Sequence, residues 1–252
     1  MILDGRRDMA GDERVEKLYE IIKNSNNIVF FGGAGVSTES GIPDFRSQDG
    51  LYMMKYKYPP ETIVSHSFFR EKTAEFYEFY RDKMIYKDAK PNITHLFLAK
   101  LEKLGKLKAV VTQNIDGLHQ AAGSKNVIEL HGSTLRNYCM NCGKKYGIDV
   151  VLDSDGVPKC ECGGIIRPDV VLYEEQLSEV DIERAIRAIE NADVLIIGGT
   201  SLSVYPAAGF IRGFSGSSLV LINKSATSYD RNADLLINDS LGTVFGELDK
   251  RF

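Results

Sequence analysis

No apolar stretch in the sequence approaches the ~20 residues needed to cross a bilayer, and the acidic start Met1–Asp12 lacks the apolar core of a secretion signal. A membrane anchor is therefore not expected, and a cytoplasmic protein is. An excess of positive charge is also missing. The 31 Lys and Arg against 35 Asp and Glu leave a net charge of −4, which gives no general electrostatic footprint for nucleic acid. No direct nucleic-acid binding is expected. No internal repeat or low-complexity segment interrupts the chain. Histidine and cysteine occur four times each, so acid–base and thiol chemistry have few candidate positions. In a reducing compartment those cysteines suit metal thiolates better than disulfides.

What is present is enough chain, 252 residues, to bury a full core as one domain with an insertion or as two unequal lobes. The apolar run Ile28-Val29-Phe30-Phe31 breaks at Gly32 into Gly33-Ala34-Gly35-Val36-Ser37-Thr38-Glu39-Ser40-Gly41. A β-branched and aromatic run that opens into glycines reads as a buried strand feeding a phosphate-binding turn. Ser37 or Thr38 could cap a following turn whose free N–H groups face a pyrophosphate. The alternative is a tight turn that binds nothing. The loop departs from the dehydrogenase fingerprint, since Thr38 stands where a third glycine belongs and no second strand ending in an acid follows. Instead it runs into Ile42-Pro43-Asp44-Phe45-Arg46, where proline pushes Ile42 to extended geometry and suits a pocket wall.

Along the chain, Asp12 can cap a helix that buries Val15, Leu18, Tyr19 and Ile22, and Pro91 opens another over Ile93 to Leu104. The dense aromatics from Phe68 to Tyr86 suit helical core, with a groove lining as the alternative. Leu107 to Thr112 is a strand that delivers Gln113-Asn114-Ile115-Asp116 at its carboxyl end, where open α/β sheets place their ligands. Val127 to Leu130 delivers His131-Gly132 in the same way. Strands follow at Val194 to Ile197, Leu219 to Asn223 and Leu235 to Ile237, with helices from Ser178, near Pro206 to Phe214 and from Leu241. This alternation argues for an α/β fold, a Rossmann-like, mainly parallel sheet with helices on both faces.

Between Leu135 and Ile166 the pattern turns polar and glycine-rich. Cys139-x2-Cys142 and Cys160-x-Cys162 there form a close variant of zinc-ribbon spacing. Four thiolates close a tetrahedral structural zinc site and leave no position for an activating water. A redox or disulfide pair is the competing reading, and zinc-ribbon DNA binding is weakened by the acidic charge. The expected organisation is a tail over 1–11, a large domain over 12–134 and 167–252, and a small zinc module over 135–166, with part of 47–90 joining the small lobe. Of the histidines, His95 falls in a helix and His66 in a loop with no chemistry suggested around either. His131 stands at the carboxyl edge facing the glycine loop, and an imidazole there can take a proton from a hydroxyl near neutral pH.

The glycine loop, Thr112-Gln113-Asn114-Ile115-Asp116-Gly117-Leu118-His119, His131-Gly132, the four cysteines and Gly199-Thr200-Ser201-Leu202 together resemble the sirtuin family of NAD-dependent protein-lysine deacylases, of the bacterial type, from about Val15 to Phe245. The resemblance implies an enzyme that consumes NAD as co-substrate. The acetyl-lysine oxygen attacks the ribose anomeric carbon and expels nicotinamide, giving deacetylated lysine and O-acetyl-ADP-ribose. It implies that His131 is the general base, with Asn114 also catalytic. Asn114, Ile115 and Asp116 then line the nicotinamide pocket, Phe45 covers the reaction centre and Arg46 binds phosphate. Ala34, Gly35 and Thr38 contact the dinucleotide, Gln113 its ribose, Thr200 and Ser201 phosphate or ribose, Asn223 the adenosine ribose and Leu241 the adenine. For Asn223 and Leu241, plain loop and helix structure is the alternative.

By the same resemblance Val171, Leu172 and Tyr173 would pair with the substrate peptide by strand addition, an ordinary edge strand being the alternative. The chain has Tyr173-Glu174-Glu175 where many relatives carry Phe-Gly-Glu. Its aromatic helix reads Tyr77-Glu78-Phe79-Tyr80 and lacks the arginine of the succinyl-removing branch, although Arg81 is adjacent, so a neutral acyl group is expected. Acetylated proteins and NAD are thus the expected partners, beside one structural zinc. Mono-ADP-ribosyl transfer on the same fold, a dehydrogenase and a non-catalytic NAD or zinc binding module are the other readings.

Overall fold

Short apolar runs become strands because each buries side chains on two faces at once. In a computed structural model of the chain, the described residues are 11–44, 50, 56–202, 209 and 211–252. Helix α1 (Gly11–Asn24) leads into β1 (Ile28–Gly32) and two 3-10 turns, Ala34–Val36 and Thr38–Ser40. Helices α2 (Pro60–Ile63), α3 (His66–Glu71), α4 (Thr73–Lys83) and α5 (Ile93–Lys103) follow, then β2 (Leu107–Thr112), α6 (Leu118–Ala121) and β3 (Val127–Glu129). The middle holds β4 (Gly132–Cys139), β5 (Lys145–Tyr146), α7 (Asp149–Leu152) and β6 (Ile166–Val170). The chain closes with α8 (Glu179–Glu190), β7 (Val194–Gly198), β8 (Ser218–Ile222), β9 (Leu235–Ile237) and α9 (Leu241–Asp249).

Six strands pair in the order β3-β2-β1-β7-β8-β9, all parallel. Alternation decides which side chain goes where. Ile28 and Phe30 join Val194 and Ile196 against α1, α5 and α9, whose Leu18, Ile22, Phe97, Leu98 and Phe245 fill that side. Val29 and Phe31 join Leu195 and Ile197 against Ala185 and Ile189 of α8. Both faces are covered, as a parallel sheet requires. Among the described residues no helix is long and apolar enough to cross a membrane.

The sheet grows outward in opposite directions from the β1/β7 pair, which makes the crevice beyond their carboxyl ends the topological switch point. There Gly35 N–H donates to Gly199 O at 2.8 Å, and a Cβ on Gly35 would lie 2.8 Å from the Gly199 Cα. Only glycine lets the two backbones approach so closely.

A second, antiparallel sheet has the order β5-β4-β6. It begins at Gly132, directly after His131, where φ is +77° and a Cβ would sit 2.0 Å from Asp169 O. The aromatics of α3 and α4 pack as core with Val170 and Leu172, Phe76 and Tyr77 being fully buried.

Several local expectations change in place. Asp12 lies in the first turn of α1 instead of preceding it, and α5 is capped by the Asn92 side chain, which accepts from Thr94 N. Neither Ser37 nor Thr38 caps a turn through its side chain: Ser37 Oγ turns to Asp116 and Thr38 Oγ1 to Gly35 O. His66 is not isolated in a loop, since it opens α3 and its Nδ1 lies 2.7 Å from Glu175. Of the helix expected near Pro206 to Phe214, residues 206–208 and 210 lie outside the described residues.

Candidate active site

The carboxyl ends of β1, β2, β3, β7 and β8 open into one cleft of about 1790 Å³. Ala34, Gly35 and Thr38 form one lip, Gln113 to Asp116 the floor, and His131 the junction with the small sheet. Thr200, Ser201, Asn223 and Leu241 line one part, and Val171, Leu172 and Tyr173 another. Phe45 and Arg46 lie outside the described residues.

His131 follows β3 and is held by main chain. Its Nδ1 lies 2.8 Å from the Gln113 carbonyl oxygen. A carbonyl only accepts, so Nδ1 carries the proton and Nε2 keeps a lone pair. Burial draws the imidazole below its usual 6.5, with the Gln113 bond acting in the opposite direction. The ring is therefore neutral at neutral pH and able to receive a proton. The His131 carbonyl in turn accepts from Val171 N–H at 3.0 Å, which ties the peptide-side wall to the same residue.

Ser37 is the residue that sequence reading placed in the wrong role. It is 1% exposed, and its hydroxyl donates to Asp116 Oδ2 at 2.7 Å while accepting from Asn114 Nδ2 at 3.0 Å. The other Asp116 oxygen accepts from Leu118 N–H at 2.9 Å. One hydroxyl thus fixes an amide and a carboxylate that come from the end of another strand. Ile115 is fixed by its carbonyl, which accepts from Thr134 N–H at 2.9 Å and from Thr134 Oγ1 at 3.1 Å. A serine in a glycine-rich turn looks like a cap, and only the neighbouring strand end reveals its partners.

Across the sheet, Thr200 Oγ1 donates to Gln113 Oε1 at 3.0 Å. Asn223 Nδ2 donates to the Thr200 and Ser225 carbonyls at 3.3 and 3.0 Å. Leu241 is buried against Gly198, where a Cβ would meet its methyl at 2.6 Å. On the peptide side, Tyr173 N–H donates to Val64 O and Tyr173 O accepts from His66 N–H, each at 3.0 Å. Glu175 gathers Arg167 Nη2, Leu172 N–H and His66 Nδ1. Glu174 takes φ of +74°, and its carboxylate accepts from Ser67 N–H at 2.9 Å and Ser67 Oγ at 2.6 Å. These contacts hold a left-handed turn that a bulky residue otherwise avoids.

His119 is 1% exposed, its ring is packed beside His95 with centroids 4.7 Å apart, and burial pushes it down to about 3. It belongs to the core. Outside the cleft, the Sγ atoms of Cys139, Cys142, Cys160 and Cys162 all lie within 4.8 Å of one another. The pairs Cys139–Cys162 and Cys142–Cys160 stand 3.4 and 3.7 Å apart, well beyond the ~2.05 Å of a disulfide. Four sulfurs about 2.3 Å from a common centre fit that spacing.

The profile of the Sir2 family matches residues 33–206. Over 241 residues the chain is 64% identical to an NAD-dependent protein deacetylase of Clostridium perfringens, covering 94% of this chain and 99% of that one. With the NAD-dependent protein deacetylase of Clostridium acetobutylicum it shares 62% over 236 residues, or 92% and 96% of the two chains. Among solved structures it superimposes on a Sir2–p53 peptide–NAD+ complex with a TM-score of 0.83 at 39% identity, covering 94% and 98%. A Sir2 protein bound to acetylated peptide gives 0.83 at 38%, with the same coverage. The chain belongs to the Sir2 family.

Proposed function

We propose that the chain is an NAD-dependent protein-lysine deacetylase, with NAD consumed as co-substrate and acetylated proteins or peptides as the other substrate. One observation carries the reading. The Gln113 carbonyl locks His131 in the Nδ1–H form, which leaves Nε2 as a base in a cleft that also holds an oriented amide and carboxylate. The cleft has room for both substrates: about 1790 Å³ exceeds the ~300–1,000 Å³ of a single drug-sized site.

NAD supplies an activated ribose whose nicotinamide can be displaced by the acetyl-lysine oxygen. Within that reaction His131 Nε2 takes a proton from a ribose hydroxyl, and burial keeps it unprotonated for the task. Asp116 accepts from the nicotinamide carboxamide, Ile115 offers main chain, and Asn114 orients the groups around them. Ser37 keeps Asp116 and Asn114 in register. Ala34, Gly35, Thr38 and Gln113 face the central part of the dinucleotide, Thr200 and Ser201 its phosphate or ribose, Asn223 the adenosine ribose and Leu241 the adenine. Phe45 and Arg46 serve as cover and phosphate contact. The substrate peptide lies along Val171 to Tyr173.

A neutral acyl group is favoured. Arg81 donates from Nε to Val151 O at 2.7 Å and from Nη2 to Ser154 Oγ at 3.0 Å, so its guanidinium is held by the small lobe and does not serve as a carboxylate partner. Cys139, Cys142, Cys160 and Cys162 would hold one zinc ion in a closed site that steadies the small lobe and takes no part in the chemistry. Incubation with an acetyl-lysine peptide and NAD should release nicotinamide and deacetylated peptide in equal amounts. His131→Ala should lower both rates by ~10²–10⁴-fold while calorimetry still detects NAD binding. Near-normal turnover by that variant would remove His131 from the role of base, and labelled ADP-ribose on the peptide would redirect the reading to mono-ADP-ribosyl transfer.

A further inference from the structure

The loop that carries Ser37 is held from two sides. Asp116 and Asn114 grip the Ser37 hydroxyl from the cleft. From behind, the amide of Asn92 donates through Nδ2 to the Val36 carbonyl at 2.8 Å and to Ser40 Oγ at 3.0 Å. These contacts flank Ser37 in sequence, one on each 3-10 turn. Asn92 is separated from them by more than fifty positions and is not among the residues that line the cleft.

Its amide can point only one way. Asn92 Oδ1 accepts from Thr94 N–H at 3.0 Å, which caps α5. His95 Nδ1 lies 3.0 Å from the same oxygen. Nδ1 accepts from the Asn92 N–H at 3.3 Å, which completes a capping box at the start of α5. With the oxygen held by the Thr94 N–H, the NH₂ group must face acceptors, and Val36 O and Ser40 Oγ are those acceptors. His95 is fully buried, which keeps this arrangement out of water.

We infer that Asn92 is a positioning residue for the dinucleotide: it caps α5 with its oxygen and clamps the Gly33–Gly41 loop with its nitrogen, which sets Ser37 against Asp116 and Asn114. The inference rests on the proposed NAD-dependent activity for its kinetic readout, but not for its structural one. The cap and the clamp can be separated by substitution. Asn92→Asp and Asn92→Ser both keep an oxygen able to cap a helix, whereas neither provides an N–H that reaches the loop.

With both substrates varied, each variant should raise the NAD KM about tenfold and leave kcat and the peptide KM within about twofold. A general loss of fold would move all three together. Hydrogen exchange should accelerate at Ser40, Gly41 and Ile42, whose N–H groups close the loop's own turns, with no change in β1 or β7. His95→Gln should give a smaller effect in the same direction, because it removes the ring that completes the capping box around Asn92. Folded variants that keep the NAD KM and the loop exchange of the parent would overturn the inference. If Asn92→Asp does not fold, Asn92→Ser and Ser40→Ala decide the question by the same measurements. Should the parent protein prove unable to bind NAD, the proposed function fails, and loop exchange alone judges the clamp.

Discussion

In the large sheet, side chains of β1 and β7 alternate between two apolar cores, and each strand is stabilised from both faces. Around the cysteines the buried nucleus consists of Cys139, Cys160 and Ile166 alone, with Tyr146 and Val150 packed against it. The first region can stand on hydrophobic burial, whereas the second joins a small apolar nucleus and the pairing of β4 with β5 and β6 to four sulfurs placed to bind one zinc ion. The contrast teaches a division of labour. The well-buried sheet positions the polar groups of the cleft at its carboxyl edge, and the small lobe, which carries four cysteines placed to bind zinc, supplies an adjoining wall.

The widest separation of the two regions should come from breaking the sulfur cluster. Cys139→Ser, or removal of zinc by a strong chelator, should abolish hydrogen-exchange protection across residues 132–170, because structural zinc contributes on the order of 10 kcal/mol to small modules. Protection in β1, β7 and β8 should persist. Loss of protection in both regions together would show that they fold as one unit and end the comparison.

Ser37→Ala sharpens it from the other side. Removing the hydroxyl leaves Asp116 and Asn114 without a shared partner, at a cost of ~1–3 kcal/mol, so kcat/KM for NAD should fall about tenfold to a hundredfold. Zinc content and exchange in the small lobe should not change. A variant that turns over normally would mean that the strand end positions those groups by itself.

The last expected effect concerns acid and is absent near neutral pH. His119 is buried and pushed down to about 3, against 6.5 in the unfolded chain. Its folded value lies below its unfolded value, so the unfolded state binds the proton more readily. The resulting stability is complete above about pH 6.5 and declines as pH falls toward 3, by up to ~1.4 kcal/mol per pH unit. In denaturant titrations, His119→Leu should show a shallower decline over that range. An unchanged slope would place the acid sensitivity of the large domain elsewhere.

Much of the fold was legible in the chain. The strand Leu107–Thr112 has the bounds its apolar run suggests, and Val194–Gly198 runs one residue beyond its run. Such runs report burial directly, because a parallel strand covered on both faces tolerates little else. Cysteine spacing likewise announced a cluster that the folded chain assembles. Less legible were contacts made at right angles to the sequence. Ser37 reads as a turn cap until Asp116 is beside it, His66 looks isolated until Glu175 arrives, and Asn92 shows no sign of the loop it holds.

By itself, then, the sequence determined the strand-and-helix rhythm, the glycines at the switch point and the four thiols, since each is a local pattern enforced by burial, backbone geometry or metal chemistry. The tertiary structure alone decided which nitrogen of His131 is left bare, where the Ser37 hydroxyl points and which way the Asn92 amide faces. Hydrogen bonds are directional and short. Their partners here come from segments far apart in the chain, and only folding brings those segments within about 3 Å of one another.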